Sequence, residues 1–249
     1  MKIQVFFMKD MCSIYLDCSG AALHKRGYRI ESNVAPLRET LAAALVQLTP
    51  WRMGRELMDP FCGSGTICIE AAMYGMNMAP GIDRSFISEK WDFISKDVFK
   101  NARREALLTA KEWNGPKIKA SDINPEYVEL AKRNAVRAGV IDAIDFSACD
   151  FRASRFENGY GFLISNPPYG ERMENQGDLE QMYFDLGKMI KRNPTWSFYI
   201  LNANETFERS LGLKAERVRK LYNGMMKANY YQFPGVKPPK KPKEDILNG

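Results

Sequence analysis

The tetrapeptide Asn166-Pro167-Pro168-Tyr169 directly follows the apolar run 160–165. Its residue types suit methyl transfer to a nitrogen conjugated with a planar group. An exocyclic amine on a base is a poor nucleophile, because its lone pair is delocalised into the ring. A site that activates it accepts hydrogen bonds from the NH2 group, so that the nitrogen moves toward tetrahedral geometry as it attacks. The Asn166 side-chain oxygen and the Pro167 carbonyl are both acceptors, and two consecutive prolines fix the backbone that aims them. Tyr169 offers an aromatic face for stacking a base. The plainer alternative is a proline-rich strand-to-loop turn, since Asn-Pro pairs commonly start turns.

A second group of residues has the character of a cofactor site. Asp59-Pro60-Phe61-Cys62-Gly63-Ser64-Gly65-Thr66 is expected to join a strand to a helix. Gly63 and Gly65 would let the backbone pass close to a ligand, and the helix N-terminus supplies free amides and a positive dipole end. The dinucleotide pattern fails, because Cys68 takes the place of its last glycine, and no Gly-Lys-Ser/Thr follows to make a P-loop. Ser121-Asp122-Ile123-Asn124 ends the next core strand, where Asp122 can accept both hydroxyls of a ribose. Cys149-Asp150-Phe151 ends the one after, with Asp150 as a carboxylate for an adenine amine and Phe151 as a ring beside the purine. With the Asn-Pro-Pro-Tyr turn on a fourth strand, the ligand that best matches the set is S-adenosylmethionine. Each turn can also be read as a helix cap, since Asp and Asn are favoured there.

These residues need elements to position them. The chain reads as strands alternating with amphipathic helices, the pattern of a parallel sheet covered on both faces. Strands are expected over 3–8 and 12–18 around Lys9-Asp10, into Asp59, and over 117–121, 144–149, 160–165 and 196–202. Helices are expected from about Pro36 (Asn33 nearby as a possible cap; Leu37, Leu41, Leu45 and Leu48 at helical spacing), from Thr66, over 125–138 and over about 178–192. A closing hairpin, 216–222 and 226–233, turns at Asn223-Gly224, a type I′ signal. The segment 78–116, rich in Lys, Arg and aromatics, is left open between touching substrate and covering the sheet.

The 249 residues, 45% hydrophobic and 27% charged, suit one large globular domain, or a domain with a small appendage. No apolar run approaches the roughly 20 residues that span a bilayer, and no signal peptide opens the chain. Five cysteines without a C-x-x-C pair suggest reduced thiols in a cytoplasmic protein, and with a single histidine, His24, no metal site is expected. Net charge is +6, and residues 188–227 hold nine Lys or Arg against three Glu, a candidate phosphate-binding face or ordinary solvated surface. The Pro/Lys-rich tail 237–249 is expected to be disordered.

The site residues, together with Leu16-Asp17-Cys18-Ser19-Gly20, Leu23-His24-Lys25-Arg26-Gly27-Tyr28-Arg29, Ala35-Pro36-Leu37-Arg38-Glu39-Thr40, Pro80 to Phe86 and Trp91, resemble those of THUMP-associated ribosomal RNA guanine-N2 methyltransferases. These are class I S-adenosylmethionine-dependent enzymes that share the Asn-Pro-Pro-Tyr turn with N6-adenine DNA methylases. The resemblance covers nearly everything up to about residue 235. It implies a Rossmann-like α/β fold with a mostly parallel seven-stranded sheet and a C-terminal antiparallel hairpin, preceded by a short β-hairpin and helix. It further implies three parts: a strand pair and loop (1–34) of the kind that links to a THUMP domain, a methyltransferase domain (35–236) and the basic tail (237–249).

For the site, the resemblance implies Asp59, Phe61, Gly63 and Gly65 around the methionine part of the cofactor, Asp122 on the ribose, and Asp150 with Phe151 on the adenine. Asn166, Pro167 and Tyr169 would hold the target base. It also places the loop 26–29, Asn33 and Glu39 near the cofactor pocket; Arg26 and Arg29 could equally tie the early loop to the sheet by salt bridges. The implied partner is RNA, large-subunit ribosomal RNA or its precursor, with a separate RNA-recruiting domain as a further candidate and no membrane, and the implied process is rRNA processing by direct transfer without a cysteine adduct. Three alternatives stay open. They are N6-adenine methylation of DNA or RNA, methylation of a glutamine amide in a protein, and an RNA-binding assembly module that retains a cofactor pocket.

Overall fold

The computed structural model describes residues 1–29, 37–157, 159–169 and 176–239. A separate hairpin, β1 (Ile3–Met8) and β2 (Met11–Leu16), opens the chain. The elements then alternate: α1 (Glu39–Gln47), β3 (Glu56–Asp59), α2 (Thr66–Gly75), α3 (Lys96–Thr109), β4 (Ile118–Asp122), α4 (Pro125–Arg137) and β5 (Ile144–Ala148). They continue with β6 (Gly161–Ser165), α5 (Gln176–Arg192), β7 (Ser197–Asn202), α6 (Phe207–Leu211), β8 (Arg217–Asn223) and β9 (Met226–Phe233). Strands β3 to β9 form one sheet in the order β5-β4-β3-β6-β7-β9-β8. The first five run parallel, and β9 is antiparallel to both β7 and β8. The expected architecture is the observed one.

Both faces of this sheet are covered at its centre, which is why β6 and β7 read as nearly unbroken apolar runs. Alternate side chains enter opposite layers. Phe162, Ile164, Tyr199 and Leu201 pack with Leu45, Val46, Ile69 and Ala131 from α1, α2 and α4. Leu163, Phe198 and Ile200 pack with Met182, Leu186 and Phe207 from α5 and α6. At Gly161 no side chain fits, because a Cβ would come within 2.6 Å of the Trp196 ring. The sheet order sets β4, β3 and β6 side by side with β5 next, so the carboxyl ends of the four strands that carry the candidate residues meet along one edge.

Several expectations need correction. Helix α1 begins at Glu39 rather than near Pro36, with Arg38 as its cap residue and no capping side chain; Asn33 and Pro36 lie outside the described residues. The final hairpin pairs Asn223 with Met226, so its central residues are Gly224 and Met225. Only Gly224 takes a positive φ, the pattern of type II′ rather than I′. The first hairpin instead turns on two positive-φ residues, Lys9 and Asp10. Segment 78–116 contains α3, an amphipathic helix none of whose residues is buried. The segment's ends, Met78 and Trp113, pack against the core, and its middle is tied to the early chain: Ser88 Oγ donates to the Cys18 carbonyl at 3.0 Å, and Arg84 Nη2 to Ala21 at 2.5 Å. Phe86 and Trp91 are half-buried there. The basic residues of 188–227 fall chiefly on the end of α5 and on the edge strand β8, not on one element. Cys62 and Cys68 are buried, whereas Cys12 and Cys18 are exposed. The tail from residue 240 lies outside the described residues.

Candidate active site

Asp59 ends β3 with its side chain 1% exposed. Its Oδ1 accepts the backbone N–H of Phe61 at 3.1 Å and the Ser165 hydroxyl at 2.5 Å. These bonds favour the carboxylate, but desolvation outweighs them and nearby Asp122 adds to it, so the carboxyl is lifted to about 7. Ser165 precedes Asn166, and the Asp59 bond therefore couples the glycine turn to the acceptor turn across the β3–β6 pair.

The glycine turn is built by backbone bonds to β4. Cys62 N–H donates to the Ser121 carbonyl at 2.9 Å, and Gly63 N–H to Asp122 Oδ2 at 2.9 Å. Asp122 Oδ1 accepts from Asn124 N–H at 3.0 Å, so each carboxylate oxygen takes one backbone donor and keeps a further acceptor site. Gly65 stands at φ +79° as the cap residue of α2 and offers no capping side chain, which leaves the first amides of that helix for a ligand. On α4, the fully buried Asn134 donates to the Ser64 carbonyl at 3.0 Å and pins the turn from below.

Asp150 and Phe151 follow β5. Both Asp150 oxygens are engaged by Arg152, through its backbone N–H at 2.8 Å and its guanidinium at 2.9 Å. The capping role is thus realised at Asp150, and an adenine amine would share these oxygens. The Phe151 ring lies 4.9 Å from that of Phe61, centroid to centroid, which joins the first and third turns in one aromatic patch. Arg152 covers Phe151 at 4.7 Å and reaches Asp185 at 2.9 Å.

In the acceptor turn Asn166 and Pro168 are half-buried, and Pro167 and Tyr169 are buried. Asn166 Oδ1 is inaccessible and has no hydrogen-bond partner among the described residues. Tyr169 is 5% exposed, so it packs as a core residue and its ring must be uncovered before a base can stack on it. The Pro168 carbonyl accepts the Tyr183 hydroxyl at 3.0 Å.

All ten sequence-predicted residues thus lie on one sheet edge, where Gly63 is bonded to Asp122, Asp59 to Phe61 and to Ser165 beside Asn166, and Phe61 meets Phe151. Sequence reasoning missed Ser165, Asn134, Tyr183 and Asn202. A local signal existed for Asn134, a polar residue in phase with Val128 and Ala131 on the buried face of α4. Tyr183 and Asn202 gave none. The early loop is held by ion pairs, Arg26 to Glu70 at 3.4 Å and Arg29 to Glu39 at 2.9 Å, while the Tyr28 hydroxyl donates to Glu70 at 3.0 Å. Arg29 also reaches Thr66 Oγ1 at 3.5 Å, so the structural tie ends at the first residue of α2.

A doubly wound sheet of this order, with polar turns on four adjacent strand ends, defines a class I methyltransferase fold. The chain belongs to the RMKL-like methyltransferase domain family, whose model matches residues 26–232. It is 46% identical over 245 residues to "Putative RNA methyltransferase YpsC" of Bacillus subtilis (strain 168), covering 98% of this chain and 64% of that protein. It is 42% identical over 235 residues to "Ribosomal RNA large subunit methyltransferase K/L" of Shewanella pealeana, covering 92% of this chain and 33% of that one. The solved structure of "SMU.472, a putative methyltransferase complexed with SAH" superposes with a TM-score of 0.89 at 37% identity, covering 95% of this chain and 62% of that chain. This chain therefore spans less than two thirds of the length of each.

Proposed function

We propose that this chain is an S-adenosylmethionine-dependent N-methyltransferase acting on an exocyclic base amine of RNA, guanine N2 of large-subunit ribosomal RNA. The observation that carries the chemistry is Asn166 Oδ1, a buried acceptor without a hydrogen-bond partner among the described residues. Leaving such an atom unmatched costs about 1–3 kcal/mol, which a folded protein tolerates where a ligand completes the bond. The donor set around it fits the cofactor. When bound, S-adenosylmethionine supplies an electrophilic methyl group on a sulfonium.

The chain's residues do the rest. The α2 amides and the Gly63–Gly65 backbone receive the amino-acid end, with Asp59 nearby. Asp122 takes the ribose hydroxyls, and Asp150, Phe151 and Phe61 enclose the adenine. Asn166 Oδ1 and the Pro167 carbonyl accept from the target NH2 and turn its lone pair out of conjugation; Tyr169, once uncovered, packs against the base. Orientation and charge stabilisation at the nitrogen carry the rate, and no strong base is required. The RNA part of the reading is supported by the names of the relatives, and a cytoplasmic location goes with that substrate. N6-adenine is the second reading, because two acceptors on one turn suit either amine.

Asp122→Ala is expected to weaken cofactor binding at least tenfold, by order of magnitude for a lost charge-assisted pair, as read by calorimetry. Asn166→Ala is expected to keep cofactor affinity and to lose transfer. Nucleoside mass spectrometry of ribosomal RNA incubated with the chain and labelled cofactor identifies the acceptor. Labelled N2-methylguanosine supports the reading, labelled N6-methyladenosine replaces guanine by adenine, and full transfer by Asn166→Ala overturns the catalytic assignment.

A further inference from the structure

The Asn-Pro-Pro-Tyr turn has few backbone donors of its own. Pro167 and Pro168 have no N–H, so neither can close a backbone bond that fixes the turn from within. Besides the Ser165–Asp59 bond at its start, it is held by two buried side chains that lie 14 and 33 residues beyond Tyr169. The Tyr183 hydroxyl donates to the Pro168 carbonyl at 3.0 Å, and Asn202 Nδ2 donates to the Tyr183 oxygen at 3.0 Å.

A backbone donor sets the direction of this chain of bonds. Asn204 N–H reaches Asn202 Oδ1 at 2.8 Å, so the amide must present its NH2 end to Tyr183. The hydroxyl has one proton. With Asn202 donating to its oxygen and Asn202 Oδ1 already claimed by Asn204, the proton is left for Pro168. The longer approach of the hydroxyl to Asn202 Oδ1, 3.4 Å, is the weaker use of it.

The pair is also held rigidly. Tyr183 and Asn202 are both fully buried, and the Tyr183 ring meets Phe207 edge-on at 4.9 Å. Burial pushes the Tyr183 hydroxyl up to about 12, so it remains a donor across the working pH range. Asn202 ends β7 and Tyr183 lies within α5, so the bonds connect the turn after β6 to the next strand and to the helix between them.

We propose that Tyr183 and Asn202 are positioning residues: through the Pro168 carbonyl they set the place of the acceptor turn, and with it Asn166 Oδ1 and the Pro167 carbonyl. The catalytic consequence rests on the methyltransferase reading above. A displacement of these acceptors misplaces the amine relative to its target, and an error of about 1 Å costs up to about a hundredfold in rate.

Two variants separate positioning from mere folding. Tyr183→Phe deletes the hydroxyl and keeps the ring. Asn202→Asp keeps the shape but replaces the donor by an oxygen that draws the hydroxyl proton away from Pro168. Deuterium exchange is measured on the whole chain without ligand, alongside cofactor affinity, melting temperature, and kcat and KM on RNA. Tyr183→Phe is expected to raise uptake in the peptide 161–169, whose turn reporters are the Asn166 and Tyr169 amides, with the peptide 57–66 unchanged. In both variants kcat is expected to fall while cofactor affinity and KM hold. Unchanged uptake over 161–169 in Tyr183→Phe overturns the proposal whatever the activity. Raised uptake with full kcat overturns the positioning role. If the wild-type chain transfers no methyl group, the functional reading fails, and the exchange comparison alone decides whether Tyr183 holds the turn.

Discussion

Asp59 shows how one buried side chain can report on the whole edge. It is the first polar residue of the glycine turn, it bonds the residue before Asn166, and its carboxyl is raised to about 7, chiefly by desolvation. Between its ordinary value of 3.8 and about 7 the folded protein holds a proton that the unfolded chain has released. The contribution is therefore fully present below 3.8 and is lost as pH rises through about 7; unfolding free energy falls over that window and levels off above it. Asp59→Asn is expected to flatten this slope, seen as a melting-temperature difference from wild type that changes between pH 4.5 and 7.5. A constant difference across that range would show that Asp59 does not titrate there. The residue types of the site were legible because the chemistry demands them at the ends of apolar runs. The raised pKa was not, because it depends on burial by segments far away in sequence.

At the scale of elements, the glycine turn owes its shape to the approach of α2 and α4. A Cβ on Gly65 would come within 2.9 Å of the Ala131 Cβ, and φ there is +79°. Gly139 has a similar φ, +69°, with nothing within 4 Å of its would-be Cβ. Gly139→Ala thus measures backbone strain alone, about 1 kcal/mol, whereas Gly65→Ala adds a helix–helix clash for a total of about 2–4 kcal/mol. Denaturant melts check the order, and equal losses would mean that the helices are free to part. Most elements were readable from apolar periodicity and turn residues: Asn124 caps α4, with Pro125 at its first position, as the sequence suggests. The turn type at Gly224 was misread because a dipeptide signal does not fix register. Strand pairing does, by setting Asn223 opposite Met226.

At the scale of the molecule, one part stands apart from the packing that holds the rest. Ile3, Val5 and Phe7 of β1 lie opposite Leu16, Ile14 and Cys12 of β2, and all six are exposed, Phe7 at 81%. Their hairpin adds no side chain to either core cluster. A chain without residues 1–16 is expected to melt within a few degrees of the full chain, since no core contact is lost, and to scatter less light on heating. A large fall in melting temperature would show that the hairpin carries stability.

The sequence by itself determined a parallel sheet covered on both faces, the four polar turns and the candidate chemistry, because strand periodicity, glycine conformational freedom and acceptor type are local properties; the methyltransferase fold came with the family resemblance. It determined that the site lies on strand carboxyl ends through the alternation of strands and helices. Tertiary structure alone decided which atoms remain available there. Asp150 is engaged by Arg152, Tyr169 is covered, and Asn166 Oδ1 is buried without a hydrogen-bond partner among the described residues. It also decided what aims the acceptor turn. Tyr183 reaches Pro168, and Asn202 reaches Tyr183, only when β6, α5 and β7 are packed, and hydrogen bonds between residues distant in the chain leave no spacing to read.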